Sequence, residues 1–230
     1  MKKSIFILFT LYAMASQAQE IKPMPMINVA GEGKIKVTPD QVNISVSVES
    51  KGVKAADVKK ENDIKIDEVI RFIKKMKVDV KDFQTQRVTL NDQYDYQKKK
   101  HNYVAMQTIV ILLKDLSKYD ELMEGIVDAG INNINNVDFK SSKLEIYKSD
   151  ARKLAMKDAK AKADDYTTVL AGQKVGKAFT VTDNTQTYYP QPVYGMAMMK
   201  SADMEAAPRE TLAVGEIEIV ANVSVSFVLE

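Results

Sequence analysis

The sequence predicts an α+β protein: two-layer antiparallel sheets with helices, one a ferredoxin-like βαββαβ unit, the other a sheet packed by an alanine-rich helix. Three observations carry this. Apolar residues alternate with period two in several runs along the chain. Between them the apolar spacing becomes helical, at residues 54–77, 119–129 and 150–171. The order of these runs, strand, helix, strand, strand, helix, strand, then a further helix and two strands, fits no all-helical or doubly wound arrangement.

Residues 27–49 form the first element pair. Ile27, Val29, Ile35 and Val37 share one face, as do Val42, Ile44, Val46 and Val48. Thr38, Pro39 and Asp40 between them predict a β-hairpin. Val58, Ile66, Val69, Ile70, Ile73 and Met76 recur at helical spacing over 54–77. Asn62 falls on that stripe, an amide that neighbouring backbone is expected to satisfy.

Strands follow over 83–96, with Val88, Leu90, Tyr94 and Tyr96 to one side, and over 103–113, joined by the polar loop 97–102. His101, the single histidine, sits in that loop beside Lys98, Lys99 and Lys100, and reads as a surface residue. Ser117 and Asp120 resemble a helix cap before Tyr119, Leu122, Met123 and Ile126, and Gly130 reads as the left-handed stop. A strand over 131–139 completes the βαββαβ count.

Ala151, Ala155, Ala159 and Ala163 then line one stripe of a helix over 150–171, flanked by Leu154, Tyr166 and Leu170. Such a smooth stripe lets a helix backbone approach a sheet closely. Asp158 and Lys162 read as a solvated i,i+4 pair on its side. Gly172 and Gly176 lead into a strand at 178–183, and residues 216–229 alternate almost without fault. Those two strands are expected to pair with the 27–37 run beneath the alanine-rich helix. The domain reading is therefore a discontinuous α+β subdomain, 27–40 with 148–230, and a ferredoxin-like subdomain, 41–147.

Residues 1–18 carry Lys2 and Lys3, an apolar run too short to span a bilayer, and small residues up to Ala18. This predicts a signal peptide, a mature chain starting at Gln19, and export. The mature chain has no apolar run of membrane-spanning length. The chain holds 33 Lys and Arg against 31 Asp and Glu, and losing the two leader lysines leaves it formally neutral. A balanced charge gives no electrostatic case for nucleic acid. With no cysteine there is no disulfide, thiol catalysis or lipidated cysteine.

Catalytic patterns are missing from the sequence. There is no HExxH, no Cys/His cluster and no nucleophile elbow, and Gly31 and Gly33 are too few for a phosphate loop. No catalytic residue and no cofactor is expected. The long segment 185–215 holds Tyr188, Tyr189, Tyr194 and then Met196, Met198, Met199 and Met204. Its thioethers admit three readings: Cu(I) ligands, a pliant apolar contact surface, or a sacrificial oxidation target.

Together these residues resemble the SIMPL-domain family, exported bacterial proteins of the periplasmic immunogenic protein type. The resemblance rests on IxVxGxG at Ile27, Val29, Gly31 and Gly33, on Pro39 and Asp40, and on Asn62. Tyr94, Tyr96, Tyr103, Gly130 and Phe139 add to it. Its most specific part is ARxxAxxDAxxKA at Ala151, Arg152, Ala155, Asp158, Ala159, Lys162 and Ala163, then Gly172, Gly176, Gly215 and Glu216. The resemblance implies an α+β fold, a periplasmic or outer-membrane location, self-assembly into ring-like or channel-like homo-oligomers, and a link to oxidative-stress tolerance. It carries over no catalytic residue. The expected function is a non-enzymatic envelope protein acting by self-assembly, with Tyr188, Tyr189, Tyr194, Met196, Met198 and Met199 as contacts. The alternative is a ligand or Cu(I) carrier using the methionines of 196–204.

Overall fold

The computed structural model describes residues 24–97, 99–185, 191–193 and 212–230, the side chains of 191–193 excepted. The strands are β1 (Met26–Val37), β2 (Gln41–Gly52), β3 (Phe83–Asp95), β4 (Lys100–Leu113), β5 (Asn133–Lys140), β6 (Val175–Asp183), β7 (Gln191–Val193) and β8 (Glu216–Leu229). The helices are α1 (Ala55–Lys75), α2 (Tyr119–Asp128) and α3 (Leu144–Thr167). One antiparallel sheet runs β3-β4-β2-β5. The other runs β1-β8-β6, with β7 also on β8.

Each sheet buries one face in its own apolar cluster. Val42, Ile44, Val46 and Val48 of β2 and Ile109 and Ile111 of β4 meet Ile66, Val69 and Ile73 of α1 and Leu122 and Ile126 of α2. Alternation on the strands and an i,i+3/i+4 stripe on the helices put these side chains on facing surfaces. Asn62 lies in the same layer, 1% exposed, and its amide donates to the Val48 and Ala105 carbonyls. In the second cluster Val29 of β1 and Ile219, Ala221, Val223, Val225 and Phe227 of β8 lie under the four alanines of α3.

The 27–49 stretch is not a hairpin. β1 pairs along its whole length with β8, from Met26↔Val228 to Val37↔Ile217, while β2 pairs with β4 and β5. The two runs separate because their apolar faces need different covers, α3 for one and α1 with α2 for the other. Residues 38–40 thus carry the chain from sheet to sheet. Residues 141–143 carry it back, and the two crossings are clasped together. Ser142 donates its backbone N–H to Asp40 Oδ1 at 2.7 Å and its hydroxyl to Oδ2 at 2.5 Å, while the Asp40 N–H donates to the Lys140 carbonyl.

Three local expectations also change. Ser117 does not cap α2: it donates to Asp115, which caps the 3-10 turn Leu116–Lys118 leading into that helix. α3 starts at Leu144 because Leu144 and Tyr147 already pack against the second cluster. Within 185–215, residues Gln191–Val193 pair with Glu216–Glu218 of β8. Gly130 has φ +118° after α2, as a left-handed stop requires.

Candidate functional site

β1 and α3 meet in a close backbone contact. Among the described residues β1 is an edge strand, with no strand paired along one side of its backbone. Gly31 and Gly33 lie directly under α3. A Cβ on Gly31 would stand 2.0 Å from the Ala155 carbonyl oxygen, and one on Gly33 2.0 Å from that of Ala151. With glycine below and alanine above, strand and helix backbones approach as far as atoms allow.

Asp158 and Lys162 use that approach. The Glu32 N–H donates to Asp158 Oδ2 at 2.8 Å, and Lys162 Nζ donates to the Ala30 carbonyl at 3.1 Å and to Asp158 Oδ2 at 2.7 Å. The pair is therefore more than a solvated helix pair. It satisfies an N–H and a C=O on the open edge of β1, groups that a bare edge offers to other chains. The Lys162 ammonium, and then the Glu32 N–H, hold the Asp158 carboxyl below its ordinary value, and Asp158 in turn raises Lys162. The spacing showed the pair; its backbone partners lie 126 and 132 residues away in sequence and leave no local signal.

A second group of polar and aromatic side chains stands on the β3–β4 arm. His101 lies in β4 rather than in the loop, opposite Tyr94. Its Nδ1 is 2.8 Å from Asp92 Oδ2, and its ring lies 5.0 Å from that of Tyr94, which meets Tyr96 edge-on at 5.0 Å. His101 thus has an orienting carboxylate. It remains a surface residue, however: its side chain is 59% exposed. Val88, Leu90, Tyr94 and Tyr96, expected on one side of β3, are exposed by 51, 42, 43 and 85%.

Among the described residues no three His, Cys, Asp or Glu side chains are placed to hold a metal ion. A concavity of about 550 Å³ along α1 is lined by Lys59, Asp63, Asp67 and Arg71, which are already joined as Lys59–Asp63 and Arg71–Asp67 ion pairs on a single helix. The signal peptide, Tyr188, Tyr189, Tyr194 and the methionines 196, 198, 199 and 204 lie outside the described residues.

The glycines of β1 and the alanines, Asp158 and Lys162 of α3 are among the residues that carry the family resemblance, and they meet in one contact. The family model for SIMPL, described as a protein of unknown function (DUF541), matches residues 27–227. The chain belongs to the SIMPL family. Among SIMPL relatives, the uncharacterized protein YggE of Escherichia coli K12 is 28% identical over 226 residues, 97% of this chain and 91% of its own. YggE of Edwardsiella ictaluri is 25% identical over 222 residues, covering 92% of each chain. The 26 kDa periplasmic immunogenic protein of Brucella melitensis is 24% identical over 230 residues, 96% of this chain and 91% of its own. None of these names specifies a reaction. Among the described residues no helix is long and apolar enough to cross a membrane.

Proposed function

We propose that this SIMPL protein is an exported, non-enzymatic component of the periplasm or cell envelope that works by self-assembly. The observation that carries the reading is the exposed apolar row Val88, Leu90, Tyr94 and Tyr96 on the β3–β4 arm, a surface of the kind that marks contact with another chain. The composition of 188–199, rich in tyrosine and methionine, supports a second contact region. Export is supported by the leader-like residues 1–18 and by the periplasmic name of the Brucella relative. In this reading 27–40 with 148–230 and 41–147 act as two structural units, and the link to oxidative-stress tolerance rests on family resemblance alone.

Light scattering on the chain from Gln19 tests the assembly. A mass several times that of one chain, reduced by deleting 188–207 or by Leu90→Ser with Tyr94→Ser, is expected. A strict monomer at tens of micromolar, the range in which micromolar affinities show, overturns it.

The second reading, a Cu(I) carrier, is favoured by four thioethers between Met196 and Met204, since Cu(I) prefers soft ligands. Cu(I) titration of the wild type against a variant with all four changed to Leu decides it, equal binding by both removing the idea.

A further inference from the structure

Two irregularities in the β3-β4-β2-β5 sheet converge on one place. Between β3 and β4 the register steps from Thr85↔Ile109 to Arg87↔Thr108, which leaves Gln86 without an opposite residue. Between β2 and β5 it steps from Ser45↔Asn136 to Val46↔Ile134, which leaves Asn135 unpaired in the same way. Such bulges re-aim side chains. Gln86 and Asn135, on opposite edge strands with β4 and β2 between them, both line a basin of about 490 Å³ on the face away from the helices.

The basin spans all four strands. Gln86 and Arg87 come from β3, Met106 and Thr108 from β4, Ser45 from β2 and Asn135 from β5. Asn135 is fixed by its neighbours, accepting from the Ser47 hydroxyl at 3.3 Å and donating to Ser45 Oγ at 3.5 Å. No carboxylate lines the basin. The acids elsewhere on that face are engaged, Glu49 by Lys51 at 2.8 Å and Asp138 by Asn136 at 2.6 Å. The Arg87 guanidinium, by contrast, makes no ion pair or hydrogen bond among the described residues.

We infer that this basin binds a small sugar acid. The guanidinium of Arg87 supplies a fork matched to a carboxylate. The amides of Gln86 and Asn135 and the hydroxyls of Ser45 and Thr108 both donate and accept, as neighbouring ring hydroxyls require. The Met106 thioether gives the apolar face of a ring something to lie on. The basin falls within the ~300–1,000 Å³ of small-molecule sites, and its openness sets a weak, millimolar affinity rather than a tight one.

Saturation-transfer difference NMR on the full chain, which works on monomer and assembly alike, tests this with D-glucuronate as probe and glucose and acetate in parallel. Glucuronate is expected to bind more strongly than either. Arg87→Gln should weaken it about tenfold, the loss of one charge-assisted pair. Asn135→Ala should weaken glucuronate while leaving acetate unchanged. Both substituted positions are on the surface, and an unchanged thermal midpoint certifies the fold. Absence of a glucuronate signal, equal binding by the Arg87→Gln chain, or parity with glucose or with acetate overturns the inference.

Discussion

Single residues at the two crossings and at the strand–helix contact set limits that composition alone does not reveal. Gly31 and Gly125 both sit where a Cβ would collide, but with different neighbours. At Gly31 the obstacle is the α3 backbone, and at Gly125 of α2 it is the tip of the Phe72 ring, 1.9 Å away. A ring can swing and a helix backbone cannot. In urea melts Gly31→Ala is therefore expected to lose at least the ~3 kcal/mol of severe overpacking, and Gly125→Ala clearly less. Equal losses would mean that α3 can lift off the sheet. Asp40 makes a different prediction. Desolvation pushes its carboxyl up, but the Ser142 hydroxyl and amide, with Lys143 nearby, outweigh it and hold the group below its ordinary value. Asp40 then binds its proton more weakly folded than unfolded. The stability it contributes is full above the ordinary carboxylate range and lost as pH falls through its folded value. Melts of wild type and Asp40→Asn from neutrality down to about pH 3 should converge as the carboxylate titrates; a constant gap would remove the clasp from the account.

Elements were the scale at which the sequence was most readable. β8 was expected over its observed bounds, Glu216–Leu229, because every second residue is apolar and the strand is sheet-bound on both sides. α1 was read within two residues at each end for the analogous reason, its stripe being unbroken. The start of α3 is not legible in the sequence since Glu145 and Ile146 are exposed and Leu144 and Tyr147 mark the turn only weakly. Residues 38–40 read as a hairpin turn in the sequence because alternation says that a strand has a buried face and is silent about which strand lies beside it. β1 also shows how a side-chain pair works at the level of an element. With Asp158→Ala the Glu32 N–H loses its acceptor, and hydrogen exchange at the Glu32 amide should accelerate while the N–H groups of β1 that face β8 keep their rates. An unchanged Glu32 rate would show that the edge needs no helper.

For the molecule as a whole, function was less legible than fold. Val88, Leu90, Tyr94 and Tyr96 read as an ordinary strand face, and only their exposure beyond the cover of α1 turns them into a surface. The Gln86–Asn135 basin left no trace at all, since a bulge is a fault between two strands and neither sequence contains it alone. The Asp92–His101 contact is a cross-strand neighbour that a looped reading of His101 hides.

The pairing of β1 with β8 also fixes an order in time. The strands β2 to β5 lie within Gln41–Lys140 and can associate as soon as that stretch is available, whereas β1 must wait for the last residues of the chain. Contacts of high sequence separation form slowly because a long loop must close first. Pulse-labelled refolding should therefore find the amides of β2 and β4 protected before those of β1, and simultaneous protection would contradict this. Until its C-terminal partner arrives, a nascent chain carries β1 as a sticky strand with two open edges, and that interval is when it is most exposed to pairing with another chain.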